Sequence, residues 1–293
     1  MTDTGEKELA AGLSWHVVSD VVARALEEDL GAAGDLTTTA TVRATAVAAA
    51  DIVPRQDGVV AGLPVAAYVF QTVSQGRLRV EFGTQDGARV SAGEVLATVR
   101  GPVRDVLSAE RTALNLLGHL SGIATLTRRW VDAVSGTGAE IRDTRKTLPG
   151  LRALEKYAVR MGGGSNHRMS LSDAALIKDN HVAAAGGVVA AFELVRAAHP
   201  GLSLEVEVDT VEQARAVIDA GAELVLLDNM ALAQLRTVVA YAAGRVRLEA
   251  SGGLTLGAAR AVAETGVDYL AVGALTHSAP VLDIGLDIEA GHH

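Results

Sequence analysis

Hydrophobic and polar positions change rhythm partway along this 293-residue chain. From about residue 135 onward, short apolar runs alternate with segments of helical period. Runs at 139–143, 174–177, 202–208, 224–227, 246–249 and 269–272 read as strands, and stretches at 151–161, 182–198, 211–220, 231–242 and 256–265 read as helices. Strand–helix units of this length imply parallel strands joined by right-handed crossovers. About six or seven strands fit, too few for a closed eight-stranded barrel. The expectation is an open α/β barrel, ahead of a doubly wound sheet.

The first part of the chain has a different pattern. Helical period at 15–29 is followed by Asp35-Leu36-Thr37-Thr38-Thr39, strand-like runs at 47–53 and 59–61, and a helix at 64–73. Residues 86–96 resemble strands joined by glycine turns. Leu114, Leu117, Leu120 and Ile123 recur at spacing three within a long helical pattern over 108–134, which would join the two halves. This predicts an N-terminal domain over 1–115 and a barrel domain over 116–275.

Composition narrows the class. Half the residues are hydrophobic but only 3% are aromatic; the excess of Ala, Val and Leu suits helices packed on buried parallel strands. No window approaches the roughly 18 uninterrupted apolar residues of a membrane span, since the run at 183–195 is broken by Gly186, Gly187 and Glu193. The charged opening residues lack the apolar core of a signal peptide. The absence of cysteine excludes disulfides, thiolate metal sites and a Cys nucleophile, and agrees with a cytoplasmic address. The terminal Gly291-His292-His293 has the make-up of a trimmed affinity tag and is given no role.

Charge singles out one region. The protein carries a net −9, yet residues 143–181 hold seven Lys or Arg against four Asp or Glu, a local 7 − 4 = +3. Cations gathered inside an acidic protein point to a pocket for a small, multiply charged anion, whereas nucleic-acid binding would spread basic charge over the domain. Arg145, Lys146, Lys178, Asp228, Ser251 and Gly273 each sit at or just after the carboxyl end of a predicted strand, the rim where α/β barrels carry their sites. Gly162-Gly163-Gly164 by itself is a loop, but His167 and Arg168 follow it, and Arg can fork onto a carboxylate. Glu205, Glu207 and Asp209 alternate along one strand. A salt bridge to a neighbouring Lys or Arg accounts for Glu205 or Asp209. Glu207, near the strand's carboxyl end, and Asp228 read as functional, able to bind Mg²⁺, hold ribose hydroxyls or offset a developing cation. Ser251-Gly252-Gly253 and Val272-Gly273-Ala274 are turns that can present backbone amides to phosphate. Among the standard short motifs, no P-loop, zinc H-E-x-x-H or nucleophile elbow is present.

Taken together, these residues resemble the quinolinate phosphoribosyltransferase family. The resemblance runs through Glu110-Arg111-Thr112-Ala113-Leu114-Asn115, His119 to Thr125, Asp143-Thr144-Arg145-Lys146-Thr147-Leu148-Pro149-Gly150, Gly162 to Arg168, Ile177 to His181, Glu205 to Val208, Leu227-Asp228-Asn229, Glu249 to Gly253 and Val272-Gly273-Ala274. It implies an N-terminal α/β sandwich, an open α/β barrel, and a C-terminal stretch over 276–293 that packs back on the first domain. It also implies a homodimer, open to further assembly, in which Arg111 enters the partner subunit's site. The implied reaction joins quinolinate to 5-phosphoribosyl 1-pyrophosphate with Mg²⁺, giving nicotinate mononucleotide, pyrophosphate and CO₂. In that reading Arg111, Arg145, His167 and Arg168 receive the dicarboxylate, and Thr144 is a further substrate-binding residue. Lys146 and Lys178 meet the anionic groups of the sugar donor, while Glu207 and Asp228 hold metal or ribose. The alternatives are a nicotinate-type transferase without decarboxylation, a Schiff-base aldolase using Lys146 or Lys178, and a non-catalytic binder of anionic metabolites.

Overall fold

The computed structural model describes residues 8–288 apart from residue 11; the charged opening residues 1–7 and the terminal His292 and His293 lie outside the described residues. In chain order the elements begin with β1 (Glu8–Ala10), β2 (Leu13–Ser14), α1 (Trp15–Leu30), α2 (Leu36–Thr41), β3 (Val47–Pro54), β4 (Gly58–Val59), α3 (Leu63–Ser74), β5 (Arg79–Phe82), β6 (Arg89–Val90), β7 (Ala97–Pro102) and α4 (Val103–Ala133). They continue with β8 (Glu140–Arg142), α5 (Arg152–Met161), β9 (Ala175–Ile177), α6 (Asp179–Ala185), α7 (Val188–Ala198), β10 (Leu204–Val208), α8 (Val211–Asp219) and β11 (Leu224–Asp228). The last are α9 (Leu232–Ala242), β12 (Arg247–Ser251), α10 (Ala259–Ala263), β13 (Tyr269–Ala271), α11 (Ala274–His277) and β14 (Ile284–Ile288).

Two compact units result. The first gathers the described residues up to Leu126, Leu148–Gly163 and those from Ser278 onward; the second comprises Thr127–Thr147 and Gly164–His277. The division therefore falls inside α4, beyond the residue-115 boundary expected from the sequence. It also assigns α5 to the first unit, although its sequence lies among the barrel elements.

In the first unit, β14, β3, β7 and β5 form an antiparallel sheet in that order. β5 and β7 escape the hydrophobic pattern because β5 buries no residue fully and β7 follows a run of glycine turns. Helix α4 lies against this unit's chain through small residues on one face. Ser121 Oγ donates to Ala61 O and accepts Ala61 N–H, and Thr125 Oγ1 does the same with Val59. These hydroxyls satisfy backbone groups that have no strand partner. One helical turn apart, Gly118 and Gly122 leave room for residues 280–282. A Cβ on Gly118 would stand 2.9 Å from Leu282 O, and one on Gly122 would overlap Pro280 O. Asp86 ties the start of α3 to α5: it accepts the N–H groups of Gly62 and Leu63 and the hydroxyl of Tyr157 at 2.6 Å. Burial, more than these bonds, sets its charge state and raises the Asp86 pKa.

The second unit is a six-stranded parallel sheet in the order β8-β13-β12-β11-β10-β9. Strands consecutive in sequence are neighbours, and β8 joins β13, which is the order of a barrel left open between β8 and β9. All six expected strands are present. Val206, Val225, Leu227, Leu248 and Leu270 are fully or almost fully buried, as expected of strands covered on both faces. The single helix expected over 182–198 is instead α6 and α7, bent by 90°. The break sits at Gly186 and Gly187, whose φ angles of 83° and 149° no L side chain adopts easily. No single described helix is long and apolar enough to cross a membrane.

Gly122→Ala should destabilise the protein by about 1–3 kcal/mol, the range for forcing a methyl group against packed backbone. Chemical unfolding measures it; a change below about 0.5 kcal/mol, within ordinary surface scatter, would show that residues 280–282 are not held against α4.

Candidate active site

Because all six strands run parallel, their carboxyl ends open on one rim. There the second unit holds a cavity of about 530 Å³. Thr144, Arg145, Lys146, His167, Arg168, Lys178, Glu207, Asp228, Ser251, Gly252 and Gly253 all line it, joined by Asn229 and Glu249. Val272, Gly273 and Ala274 do not line it. Gly273 instead underlies Lys146, whose Cδ would stand 3.0 Å from an added Cβ. Arg111 lies exposed on α4 of the first unit, 4.0 Å from Glu110.

Local structure explains each placement. After β8 the chain turns at Thr144, whose Oγ1 accepts the Lys146 N–H, and Thr276 Oγ1 donates to Lys146 O. Ser165 then pairs beside β8 as a short parallel bridge with Arg142, in the gap left by the open sheet. Buried Asp143 fixes the next turn by accepting His167 N–H at 2.8 Å and Asn166 Nδ2 at 2.6 Å. Arg168 is thereby carried to the rim, where its Nη1 donates to Ala174 O at 3.0 Å. On the far side, Asn229 adopts φ 53°, a left-handed conformation that Asn tolerates, and donates to Asp228 Oδ2 at 2.7 Å. Gly252, at φ 90°, packs so closely on Asn229 that no side chain would fit there.

Cations dominate the outer wall. Burial chiefly, then the neighbouring Arg145 guanidinium, lowers the Arg168 pKa. Arg145 Nε is buried without a hydrogen-bond partner. Two guanidinium groups that repel one another, one with an orphaned donor, make a strong receptor for a paired carboxylate. Lys178 Nζ meets Glu207 Oε2 at 2.6 Å.

Acids lie beneath. Glu205 and Glu249, on neighbouring parts of the sheet, are almost wholly buried. Glu249 Oε2 accepts Arg142 Nη1 at 2.5 Å, and Glu205 Oε2 lies 2.6 Å from His167 Nε2. Glu205 is paired, but by a hydrogen bond from the His167 ring in place of the Lys or Arg salt bridge that was expected. His167 also differs from expectation. Its Nδ1 accepts the Arg168 N–H at 2.7 Å, so the ring proton sits on Nε2, directed at Glu205. The ring lines the cavity with both nitrogens engaged, one by the Arg168 backbone and one by Glu205. Glu249, Glu205, Asp143 and Arg142 were not among the expected site residues. The available signal was an acid inside a strand buried on both faces.

With this geometry in place, comparison with known proteins is informative. Residues 35–121 match the model of the quinolinate phosphoribosyl transferase N-terminal domain and residues 123–287 that of its C-terminal domain. The chain belongs to the quinolinate phosphoribosyl transferase family. Within that family it is similar to the nicotinate-nucleotide pyrophosphorylase [carboxylating] of Mycobacterium leprae, at 56% identity over 92% of this chain and 96% of the relative. A probable enzyme of the same name from Bacillus subtilis is 42% identical over 89% and 90%. The solved nicotinate-nucleotide pyrophosphorylase from Francisella tularensis superposes with a TM-score of 0.91 at 35% identity, covering 99% of this chain and 100% of that one.

Burial, then the charge of Glu205, pushes Glu249 from 4.5 up to about 7. A carboxyl whose folded-state pKa lies above its unfolded value binds more protons when folded, so its contribution to stability falls as pH rises between the two. Wild type should therefore lose stability relative to Glu249→Gln between pH 5 and 8 in denaturant unfolding. A gap between the two proteins that does not move with pH would contradict the shift.

Proposed function

We propose that this protein transfers the phosphoribosyl group of 5-phosphoribosyl 1-pyrophosphate to quinolinate with decarboxylation, a step of de novo NAD biosynthesis. The observation that carries this is the Arg145–Arg168 pair on the cavity lining, where Arg145 also keeps a buried Nε without a hydrogen-bond partner. Quinolinate bears two adjacent carboxylates, and a pair of guanidinium groups matches them.

The remaining wall suits the sugar donor. Lys146 and Lys178 meet its diphosphate, and backbone amides of the Ser251-Gly252-Gly253 turn on the lining hold the 5-phosphate, with the Gly273-Ala274 turn behind Lys146 available to extend that cradle. Glu207 and Asp228 line the same two cavities and offer hard oxygen donors. That donor set fits Mg²⁺, which accepts one or two carboxylates and keeps most of its water. The ion, when bound, offsets charge on the departing diphosphate. The protein's own residues align the pyridine nitrogen with C1 of the ribose. The nitrogen lone pair forms the new bond as the C1–O bond breaks and pyrophosphate leaves. Carboxylates near the ribose steady its transient positive charge. The quaternised ring then accepts the electron pair of the C2–carboxylate bond, CO₂ departs, and C2 takes up a proton.

Homodimerisation completes this reading, with Arg111 of one subunit serving the other's site. An apolar groove of about 950 Å³ along the open β9 edge, bordered by exposed Leu171 and Leu194, supports it. A cytoplasmic address and small-molecule rather than nucleic-acid or membrane partners go with it. The Schiff-base alternative loses support because Lys178 is engaged by Glu207.

Incubation with quinolinate, the sugar donor and Mg²⁺ should yield nicotinate mononucleotide and CO₂. Nicotinate lacks the 2-carboxylate and would leave a buried cation unpaired, a cost of a few kcal/mol, or about a hundredfold or more in kcat/KM. Equal efficiency with nicotinate would favour the transferase without decarboxylation, and binding of the sugar donor with no pyrophosphate release would favour a non-catalytic binder.

Arg111→Ala and Lys146→Ala should each be inactive while folded. Mixing them under subunit exchange should restore part of the activity, because one heterodimeric site is rebuilt from intact halves. No recovery after verified exchange would place Arg111 outside the partner's site.

A further inference from the structure

His167, Glu205, Glu249 and the half-buried Arg142 form a cluster at the cavity, two of whose members, His167 and Glu249, reach its lining, and the proposed chemistry does not use it. One donor atom from each of His167, Glu205 and Glu249 lies within 4.8 Å of the others, the spacing of a metal site. Two features argue against a metal there. Arg142 already occupies Glu249 Oε2, and the bond from Arg168 N–H to Nδ1 leaves the proton on Nε2, the nitrogen a metal would need.

The same bonds describe a relay of position. Glu205 Oε2 holds Nε2–H at 2.6 Å, which fixes the ring; Nδ1 holds the Arg168 backbone N–H at 2.7 Å, which fixes the residue that carries the guanidinium. Asp143 pins the His167 backbone from the other side at 2.8 Å. Glu249 Oε1 lies 3.7 Å from Nε2, beyond hydrogen-bond distance, while its Oε2 is taken by Arg142, so Glu205 at 2.6 Å is the acceptor. Buried carboxylates that orient a histidine ring are a common way to set its tautomer.

We infer that Glu205 is a positioning residue for the dicarboxylate pocket, acting through a neutral, Nε2-protonated His167 to hold Arg168 in place. This rests on the proposed reading of the pocket, but the tautomer does not. Nitrogen-15 spectra of histidine-labelled protein at neutral pH should show His167 protonated on Nε2 alone. Glu205→Leu, which removes the acceptor, should lose that signature. It should raise KM for quinolinate about tenfold or more, the scale seen when an outer hydrogen-bond partner is removed. KM for the sugar donor should stay within about twofold. Glu205→Gln, whose amide oxygen still accepts, should recover most of the loss.

A wild-type imidazolium, or a proton on Nδ1, would overturn the inference. So would a folded Glu205→Leu protein in which both KM values rise together or neither moves. If Glu205→Leu does not fold, the wild-type and Glu205→Gln spectra and their quinolinate KM values decide. Failure of the pocket reading is separately visible, as a wild-type protein with the Nε2–H tautomer that does not turn over quinolinate.

Discussion

Everything at the candidate site follows from one constraint: the six strands of the second sheet run the same way. Parallel strands deliver every carboxyl end to one rim, so residues far apart in sequence, from Thr144 to Gly253, meet around one cavity. The sheet is also incomplete. Its gap between β8 and β9 admits the Ser165–Arg168 segment beside β8, which no closed barrel would accommodate. The open edge is thus part of how the cavity acquires Arg168.

Charge is arranged in two layers. Arg145, Lys146, Arg168 and Lys178 lie around the cavity, while Glu205 and Glu249 lie below with Arg142 and His167 between them. Buried acids are costly unless paired, and here each has one hydrogen-bonded oxygen and one oxygen without a hydrogen-bond partner. That arrangement lets an acidic protein keep a strongly basic receptor in one place. The acids hold the scaffold of the receptor and leave Arg145 unpaired within it.

Much of this was legible in the sequence. The six parallel strands showed in their apolar runs, and the rim residues could be picked out because polar side chains at strand ends have few other reasons to cluster. The hidden features are those that depend on distant partners. Glu205 looked like an ordinary salt-bridged strand acid, since nothing local says that residue 167 will lie beside it. His167 looked like a cation because its sequence neighbours are basic, while its tautomer is set by a bond to the next residue's backbone. The break between α6 and α7 was visible as two adjacent glycines but was outweighed by the apolar periodicity around them. β5 and β7 do alternate apolar and polar residues, but over only four residues each, and β5 buries none of them fully.

The pairing of β14 with β3 has a consequence for how the molecule is made. Arg55 and Asp287, joined in an ion pair across these strands, are 232 residues apart. A ribosome emits β3 early and β14 only after the whole parallel sheet has been synthesised. The first unit, though begun first, must therefore wait with one edge of β3 unpaired until β14 emerges. During that interval the edge of β3 that β14 will cover is open to mispairing, which chaperone protection would offset.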